Sequence, residues 1–460
     1  MAGVAAFHAL LLPLTCDAQL ALIAEQAAAI AWEAAPAPSS SSASHAVPLR
    51  HDREQLEPRN RNRPLRIALL RGSANSNADR LATLLSLRTD GFSAHLFTTS
   101  LDAASVAALH DTLGDGRRHA LRHTSLRPLT DADAAVLLSS FDVVLDASGH
   151  TAGNRLGALA RRPAPVAASV LGFAGSYGGA RLVDYLTADR LVTPPMVAGV
   201  ARTLPCVATS ERVVLLPTTY QPAATAMAAR PYGKATRGAA VPTSSRGPLV
   251  GSFTRAVRWH PSSFGLWAEV LRRGPRARMW LLAADGDARA GAIAELRAAG
   301  VDARRRLTFA SYEADKASHV VRHAHLSASI DTTPLYGSHT TATDALAAAV
   351  PLFTLPAAAW ASRVGTSVAA AAGVTEAAVT SPRELADFSS RLLDGGGEAP
   401  WMPTPQRRRR HGDNVVGKEH GMVYDRYRYA RAVGLHPNPS AHSGALGGPL
   451  PRSFTRIRYR

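Results

Sequence analysis

Short runs of β-branched and aromatic residues alternate with longer helical stretches along this chain, and they do so in two separate blocks. In the first block RIALL (Arg66–Leu70), FSAHLFTT (Phe92–Thr99) and FDVVLDAS (Phe141–Ser148) read as buried strands. Helical patterns fall between them near 78–88, 102–113 and 131–139. In the second block the strands are LVGSF from Leu249, RMWLLAA (Arg278–Ala284), RLTFASY (Arg306–Tyr312), LSASIDT (Leu326–Thr332) and PLFTLP (Pro351–Pro356). Helices fill its gaps around 262–273, 288–299, 315–325, 340–348, 360–371 and 381–394. A βαβ rhythm of this kind implies parallel sheets covered on both faces, because parallel strands need a crossover and that crossover is usually a helix.

Ahead of these blocks, residues 1–35 read as Ala-rich helix, and 36–63 as a Ser/Pro/Ala linker. The predicted organisation is a first α/β lobe over 64–217, a turn-rich connector over 218–248, a second lobe over 249–396, and a tail over 397–460. Two such lobes place a ligand in the crevice at the carboxyl ends of their strands.

Composition narrows the class. The chain has 460 residues, 46% of them hydrophobic, enough to bury a sizeable core. Two cysteines, Cys16 and Cys206, exclude a disulfide-dense scaffold and a cysteine-rich zinc module. No apolar run reaches the roughly 18 residues of a membrane span, and the opening stretch lacks the basic start of a signal peptide. Neither HExxH, GxSxG nor GxxxxGK[ST] occurs, which removes the main support for zinc-protease, serine-hydrolase and P-loop readings. The net charge of +17 is concentrated: residues 401–460 carry 12 Lys+Arg against 3 Asp+Glu, with Arg407, Arg408, Arg409 and Arg410 in one run. That tail reads as a disordered Arg-rich segment, with nucleic-acid binding the lowest-ranked role.

Three stretches can carry chemistry. In IDTTPLYGSHTTATDALAAAVP (Ile330–Pro351) a strand ends at Asp331, and His339, Thr340 and Thr341 open an Ala-rich helix. Hydroxyls and unpaired N–H groups at a helix start form an anion site, although Thr340 or Thr341 serves equally well as a plain N-cap, with Asp344 completing a capping-box-like pair. In KASHVVR (Lys316–Arg322) the spacing puts Lys316, His319 and Arg322 on one helix face, either toward a nucleotide or toward solvent. In GHTAGNR (Gly149–Arg155) His150 is delivered to a strand's carboxyl end. Downstream, Gly172 and Gly175 permit close backbone approach to a ligand or to a neighbouring strand.

Taken in order, FHALLLPLTCDAQLAL, LDASGHTAGNRLGALARRPAPV, LGFAGSYGGARLVDYLTAD, SERVVLLP, SFTRAVRWHP, WAEVLRRGPRARMWLL, KASHVVR and GSHTTATDAL resemble the catalytic region of protein O-GlcNAc transferases, the SECRET AGENT/SPINDLY-like glycosyltransferases of family 41. The resemblance spans residues 7–395. It implies a GT-B fold of two Rossmann-like lobes, and metal-independent transfer of N-acetylglucosamine from UDP-GlcNAc to Ser or Thr hydroxyls of proteins in the cytoplasm or nucleus. The Ala/Ser-rich first 50 residues leave an organellar signal open. By motif, Thr340, Thr341 and Lys316 would face the donor diphosphate beside His339, and Asp344 the ribose. Ala314, His319 and Arg322 would line the base site, while His150, Gly172 and Gly175 would line the cleft from the first lobe. His8, in FHAL, lies where the family places an acceptor-side histidine.

Three departures accompany the match. The family's SDFGNHPxSH is here RGSANSNADR, with Ser76 and Arg80 in place of its histidines. Its NxLYK is here TRAVR, with Arg255 at a usual glutamine and Arg258 at the lysine. The loop before His339 is one residue longer than in the animal-type sequences. A GDP-fucose donor, as in the SPINDLY branch, and a catalytically weak nucleotide-binding relative are the alternatives. The family's helical-repeat array has no counterpart in this sequence, so either a separate chain with helical repeats recruits the acceptor or this is a divergent member with reduced or altered activity.

Overall fold

The computed structural model describes residues 16–34, 63–72, 91–99, 122–179, 181–193, 211–221, 247–283, 285–313, 316–348, 350–372, 379 and 381–393. Helix α1 (Cys16–Ala34) precedes the first block, whose elements are β1 (Leu65–Arg71), β2 (Phe92–Thr98), β3 (Arg122–Ser125), α2 (Asp131–Leu138), β4 (Val143–Asp146), α3 (Leu156–Ala160), β5 (Val166–Ser169), β6 (Tyr185–Asp189) and β7 (Arg212–Leu216). The second block comprises β8 (Leu249–Ser252), α4 (Pro261–Arg273), β9 (Arg278–Leu282), α5 (Gly286–Ala298), α6 (Ala303–Arg306), β10 (Leu307–Ala310), α7 (Lys316–His323), β11 (Ala328–Ile330), α8 (Thr340–Ala347), β12 (Leu352–Phe353), α9 (Trp360–Ala371) and α10 (Pro382–Leu393).

Both sheets are parallel. The first runs β3-β2-β1-β4-β5-β6-β7 and the second β10-β9-β8-β11-β12. Each order reverses direction once, between β1 and β4 and between β8 and β11, so each sheet has a topological switch point flanked by two central strands. Their interior runs are covered: Ile67, Ala68, Leu69 and Leu70 of β1 and all four residues of β8 are buried, as continuous apolar runs in parallel sheets should be. The expected strands and helices recur within a few residues. Strands β3, β5, β6 and β7 are additional, and the predicted helices at 78–88 and 102–113, like the tail, lie outside the described residues. Among the described residues no helix is long and apolar enough to cross a membrane.

Helix α4 shows how local sequence sets these elements. Pro261 occupies its first turn, the His260 ring accepts the Ser262 N–H at 3.2 Å, and Gly274 follows its end. Its inward face is Phe264, Trp267, Ala268 and Leu271, the i, i+3, i+4, i+7 stripe of a helix lying on a sheet.

One apolar core crosses from lobe to lobe. It joins Ile23 and Ala27 of α1 to Leu70, Val144 and Tyr177 of the first lobe and to Trp360, Val364 and Val368 of α9. At the same seam Thr219 Oγ1 and Ser367 Oγ lie 2.7 Å apart, and Ser367 donates onward to Asp189 Oδ2 at 2.6 Å. Asp189 also accepts the backbone N–H of Tyr220 (2.9 Å), while Arg363 Nε donates to the Leu191 carbonyl at 2.6 Å. Residues 219–221, expected in the open connector, are therefore buried in the seam.

Two glycines are required by close approach. A Cβ on Gly178, whose φ is +92°, would meet the Ala27 methyl and the Ile23 carbonyl oxygen, so α1 rests directly on this loop. A Cβ on Gly172 would lie 1.8 Å from the Ala147 carbonyl oxygen. Gly172→Ala should therefore cost about 3 kcal/mol or more, because backbone must move. Gly265→Ala, exposed within α4 with nothing near its Cβ position, should stabilise by about 0.5–1 kcal/mol. Thermal unfolding of the two variants checks both, and a neutral Gly172→Ala would refute the close packing of this loop on β4.

Candidate functional site

The chemistry-bearing residues collect at the two switch points, where loops leave the carboxyl ends of the central strands. In the first lobe the organiser is Asp146, the last residue of β4. Its Oδ2 accepts the Gly149 N–H at 2.7 Å and the Tyr177 hydroxyl at 2.8 Å, and its Oδ1 accepts the Ser148 N–H at 3.3 Å. Burial pushes its carboxyl up to about 6, against the pull of those donors. Ser148 Oγ accepts the Gly72 N–H at 2.6 Å, which ties the turn after β4 to the chain leaving β1.

His150 leaves this turn and is buried. Its Nε2–H donates to the Tyr177 carbonyl at 2.9 Å, its ring packs edge-on against Phe173, and Nδ1 has no hydrogen-bond partner among the described residues. Desolvation holds the imidazole below its ordinary value, so it is neutral at pH 7. Glu211 secures the other side by accepting the Tyr177 N–H at 2.7 Å and the Ser176 hydroxyl at 3.0 Å.

In the second lobe Asp331, just past β11, plays the equivalent part. It is buried and accepts the Thr332 N–H (2.7 Å), the Thr354 hydroxyl (2.7 Å) and the Ser338 N–H. Desolvation raises its carboxyl above the ordinary value despite these donors. Helix α4 holds the same loop from below: Trp267 Nε1–H donates to the Asp331 carbonyl at 3.0 Å, and Ser263 Oγ lies 2.8 and 3.0 Å from the carbonyls of Thr332 and Thr333.

The loop then opens α8. His339 is the N-cap, yet its side chain makes no cap bond; its Nε2–H donates to the Ala361 carbonyl at 3.0 Å. The expectation that Thr340 or Thr341 caps the helix, with Asp344 completing the pair, is not met: both threonines lie inside α8, and Asp344 turns away. Instead Asp344 Oδ2 sits 3.4 Å from His319 Nε2 on α7, and Arg322 Nη2 donates to His319 Nδ1 at 2.5 Å. That order fixes the His319 tautomer, with its proton on Nε2 facing the carboxylate. Arg322 also donates to the Ser311 carbonyl at 2.8 Å and lies 4.5 Å over the Phe253 ring. Burial lowers its guanidinium to about 10, still charged at pH 7. The α7 face carrying these two residues is therefore interior, not solvated. Behind it His323 packs on Phe253 and is held down to about 3 by burial.

Across from α8, a short turn over Ala256–Arg258 presents Arg258, whose guanidinium carbon lies 4.5 Å over the Tyr336 ring. Arg255, at the start of that turn, is exposed. Of the other expected site residues, Gly172 packs against the backbone of Ala147 and Ser148, just after β4. Gly175 lines a small cavity with Gln19, Ser176 and Trp360 at the seam. Lys316 begins α7. His8, Ala314, Ser76 and Arg80 lie outside the described residues. Among the described residues, no group of three or more His, Cys, Asp or Glu side chains is arranged to hold a metal ion. Sequence reasoning missed Asp146, Tyr177, Glu211 and Tyr336; the available signal was the repeated pattern of a strand ending in aspartate, in VVLD and then in SID.

Residues 249–398 match the model of glycosyl transferase family 41. Over 258 residues the chain is 29% identical to the probable UDP-N-acetylglucosamine–peptide N-acetylglucosaminyltransferase SEC of Arabidopsis thaliana, covering 53% of this chain and 24% of that protein. It is 26% identical to the probable enzyme of the same title, SPINDLY, from the same plant, over 55% of this chain and 26% of that one. The chain thus spans well under two thirds of these relatives' length. A mutant O-GlcNAc transferase of Thermobaculum terrenum superposes with a TM-score of 0.65 at 24% identity, covering 92% of this chain and 75% of its own, so the two-lobed fold is shared.

Tyr177→Phe tests the first-lobe organiser. Burial favours the protonated form of Asp146 in the fold, so its contribution to stability is full at low pH and lost as pH rises through about 6. The Tyr177 hydroxyl offsets that loss by serving the ionised form. Its removal should cost about 1–2 kcal/mol, more in urea unfolding above pH 6 than below it; an equal loss on both sides would refute the assignment. With the family match and the sequence kinship pointing the same way, residues 249–398 form a glycosyl transferase family 41 domain.

Proposed function

We propose that the protein transfers N-acetylglucosamine from UDP-GlcNAc to Ser or Thr hydroxyls of protein acceptors, without a metal ion. The observation that carries this reading is the start of α8: its N-cap side chain is turned away to Ala361, it lies beside the loop after β11, and Arg258 stands across from it. Helix N–H groups, the helix dipole and a guanidinium suit a diphosphate.

In this reading Thr340 and Thr341 hold the donor diphosphate with Arg258 and Lys316. Asp344, oriented through His319, holds the ribose, and Arg322 faces the base site with Ala314. Breaking the anomeric bond puts negative charge on the departing diphosphate, and preset donors and cations that meet this charge supply most of the rate enhancement. The acceptor approaches from the first lobe, where neutral His150 carries an Nδ1 free to accept a proton or hydrogen bond. His8 is the proposed acceptor-side base.

Calorimetric titration of the full chain with UDP, UDP-GlcNAc and GDP-fucose, with and without EDTA, tests the donor. Saturable UDP-GlcNAc binding that EDTA does not change is expected; preference for GDP-fucose would move the protein to the alternative donor. Replacing Thr340 and Thr341 together by Ala should weaken donor binding about tenfold with the fold intact. Unchanged affinity would sink the diphosphate assignment. Binding without transfer to any acceptor peptide would identify a weak relative.

A further inference from the structure

Tyr336 is almost wholly buried in the loop between β11 and α8. Its ring stacks on the His339 imidazole, with centroids 4.6 Å apart and planes 20° apart. The Arg258 guanidinium carbon lies 4.5 Å from the centroid of the same ring. The phenol ring is thus in contact with both a cation and an imidazole. Burial and the neighbouring Arg258 hold His339 down to about 3, so the guanidinium is the one charge of these two groups against the ring.

The other members of this cluster are anchored. The Tyr336 carbonyl accepts the Thr332 hydroxyl at 2.7 Å, the Gly337 N–H donates to the Ala361 carbonyl at 2.9 Å, and His339 is tied to the same carbonyl. Arg258 stands on a three-residue turn; among the described residues its guanidinium meets the Tyr336 ring and donates to the Gly337 carbonyl at 3.4 Å. An arginine on a bare turn loses much side-chain entropy when an anion immobilises it. One already laid against an aromatic face has lost part of that freedom beforehand.

We propose that Tyr336 is a positioning residue that lays the Arg258 guanidinium flat and aims its free N–H groups at a diphosphate bound at the start of α8. This rests on the donor reading above and deepens it: the arginine at this position works as an anion clamp because an aromatic ring lies beneath it.

The test is a double-mutant cycle on the full chain, titrated with UDP and, separately, with inorganic pyrophosphate. Tyr336→Leu should weaken both ligands about fivefold, within the range of a partly desolvated cation–π contact. Tyr336→Phe, which keeps the ring, should restore binding. In an Arg258→Ala background Tyr336→Leu should cause no further loss, since the ring acts through the arginine. A full additional loss there, or failure of Phe to rescue, overturns the proposal. Should Tyr336→Leu not fold, the Arg258 Nε–H resonance decides: assigned by its disappearance in Arg258→Ala, it should lie upfield of ordinary arginines in the wild type and in Tyr336→Phe. An ordinary position overturns the stack without any ligand.

The two readings separate cleanly. Pyrophosphate binding that depends on Tyr336, with no UDP binding, refutes the nucleotide-sugar donor and keeps the clamp. UDP binding indifferent to Tyr336 and Arg258 refutes the clamp and keeps the donor. Binding of neither ligand refutes both.

Discussion

A buried carboxylate at the end of a central strand organises each lobe. Asp146 and Asp331 sit at corresponding places, and each gathers backbone N–H groups from the loop that follows, together with one hydroxyl from elsewhere in its lobe. A loop leaving a parallel strand has N–H groups with no sheet partner, and burying them without acceptors is costly. One carboxylate satisfies two of them at once. Its own desolvation raises the carboxyl group, which is the visible sign of the opposing cost.

The candidate site residues lie downstream of those two anchors. The turn held by Asp146 delivers His150, and the loop held by Asp331 delivers Tyr336, His339 and the start of α8. Helix α4 adds a second hold on the latter through Trp267 and Ser263. The geometry of both candidate-site loops is thus set by buried groups behind them, which is how residues on loops acquire the precision of a scaffold.

Much of the architecture was legible because strong β-branched and apolar runs mark interior strands: IALL in β1 and RMWLL in β9 fell where expected. Strands β5 and β6 were not legible, since VAAS and YLTAD carry small or polar residues whose own strand preference is weak. They form because each has a pairing partner on both sides. The pairs at the site are harder still to read. Tyr177 reaches Asp146 from 31 residues away, and Arg258 bonds a carbonyl 79 residues away. His319 with Arg322 was visible because both lie on one helical turn, whereas the partner of Asp344 was misjudged because a local cap competed with a contact across α7 and α8.

The seam described by Asp189, Ser367 and Thr219 bears on modularity. Each sheet has the strand order of an independent nucleotide-binding unit, yet either one alone would expose half of a shared interior: Trp360, Val364 and Val368 on one side, Tyr177 and Tyr220 on the other. Ser367 would also leave the Asp189 carboxylate one donor short. The two lobes therefore depend on each other for burial. Recombination or truncation between them would yield fragments that stick rather than fold, and lobe-swapped chimaeras would need to carry α9 and the 219–221 segment along with the first sheet.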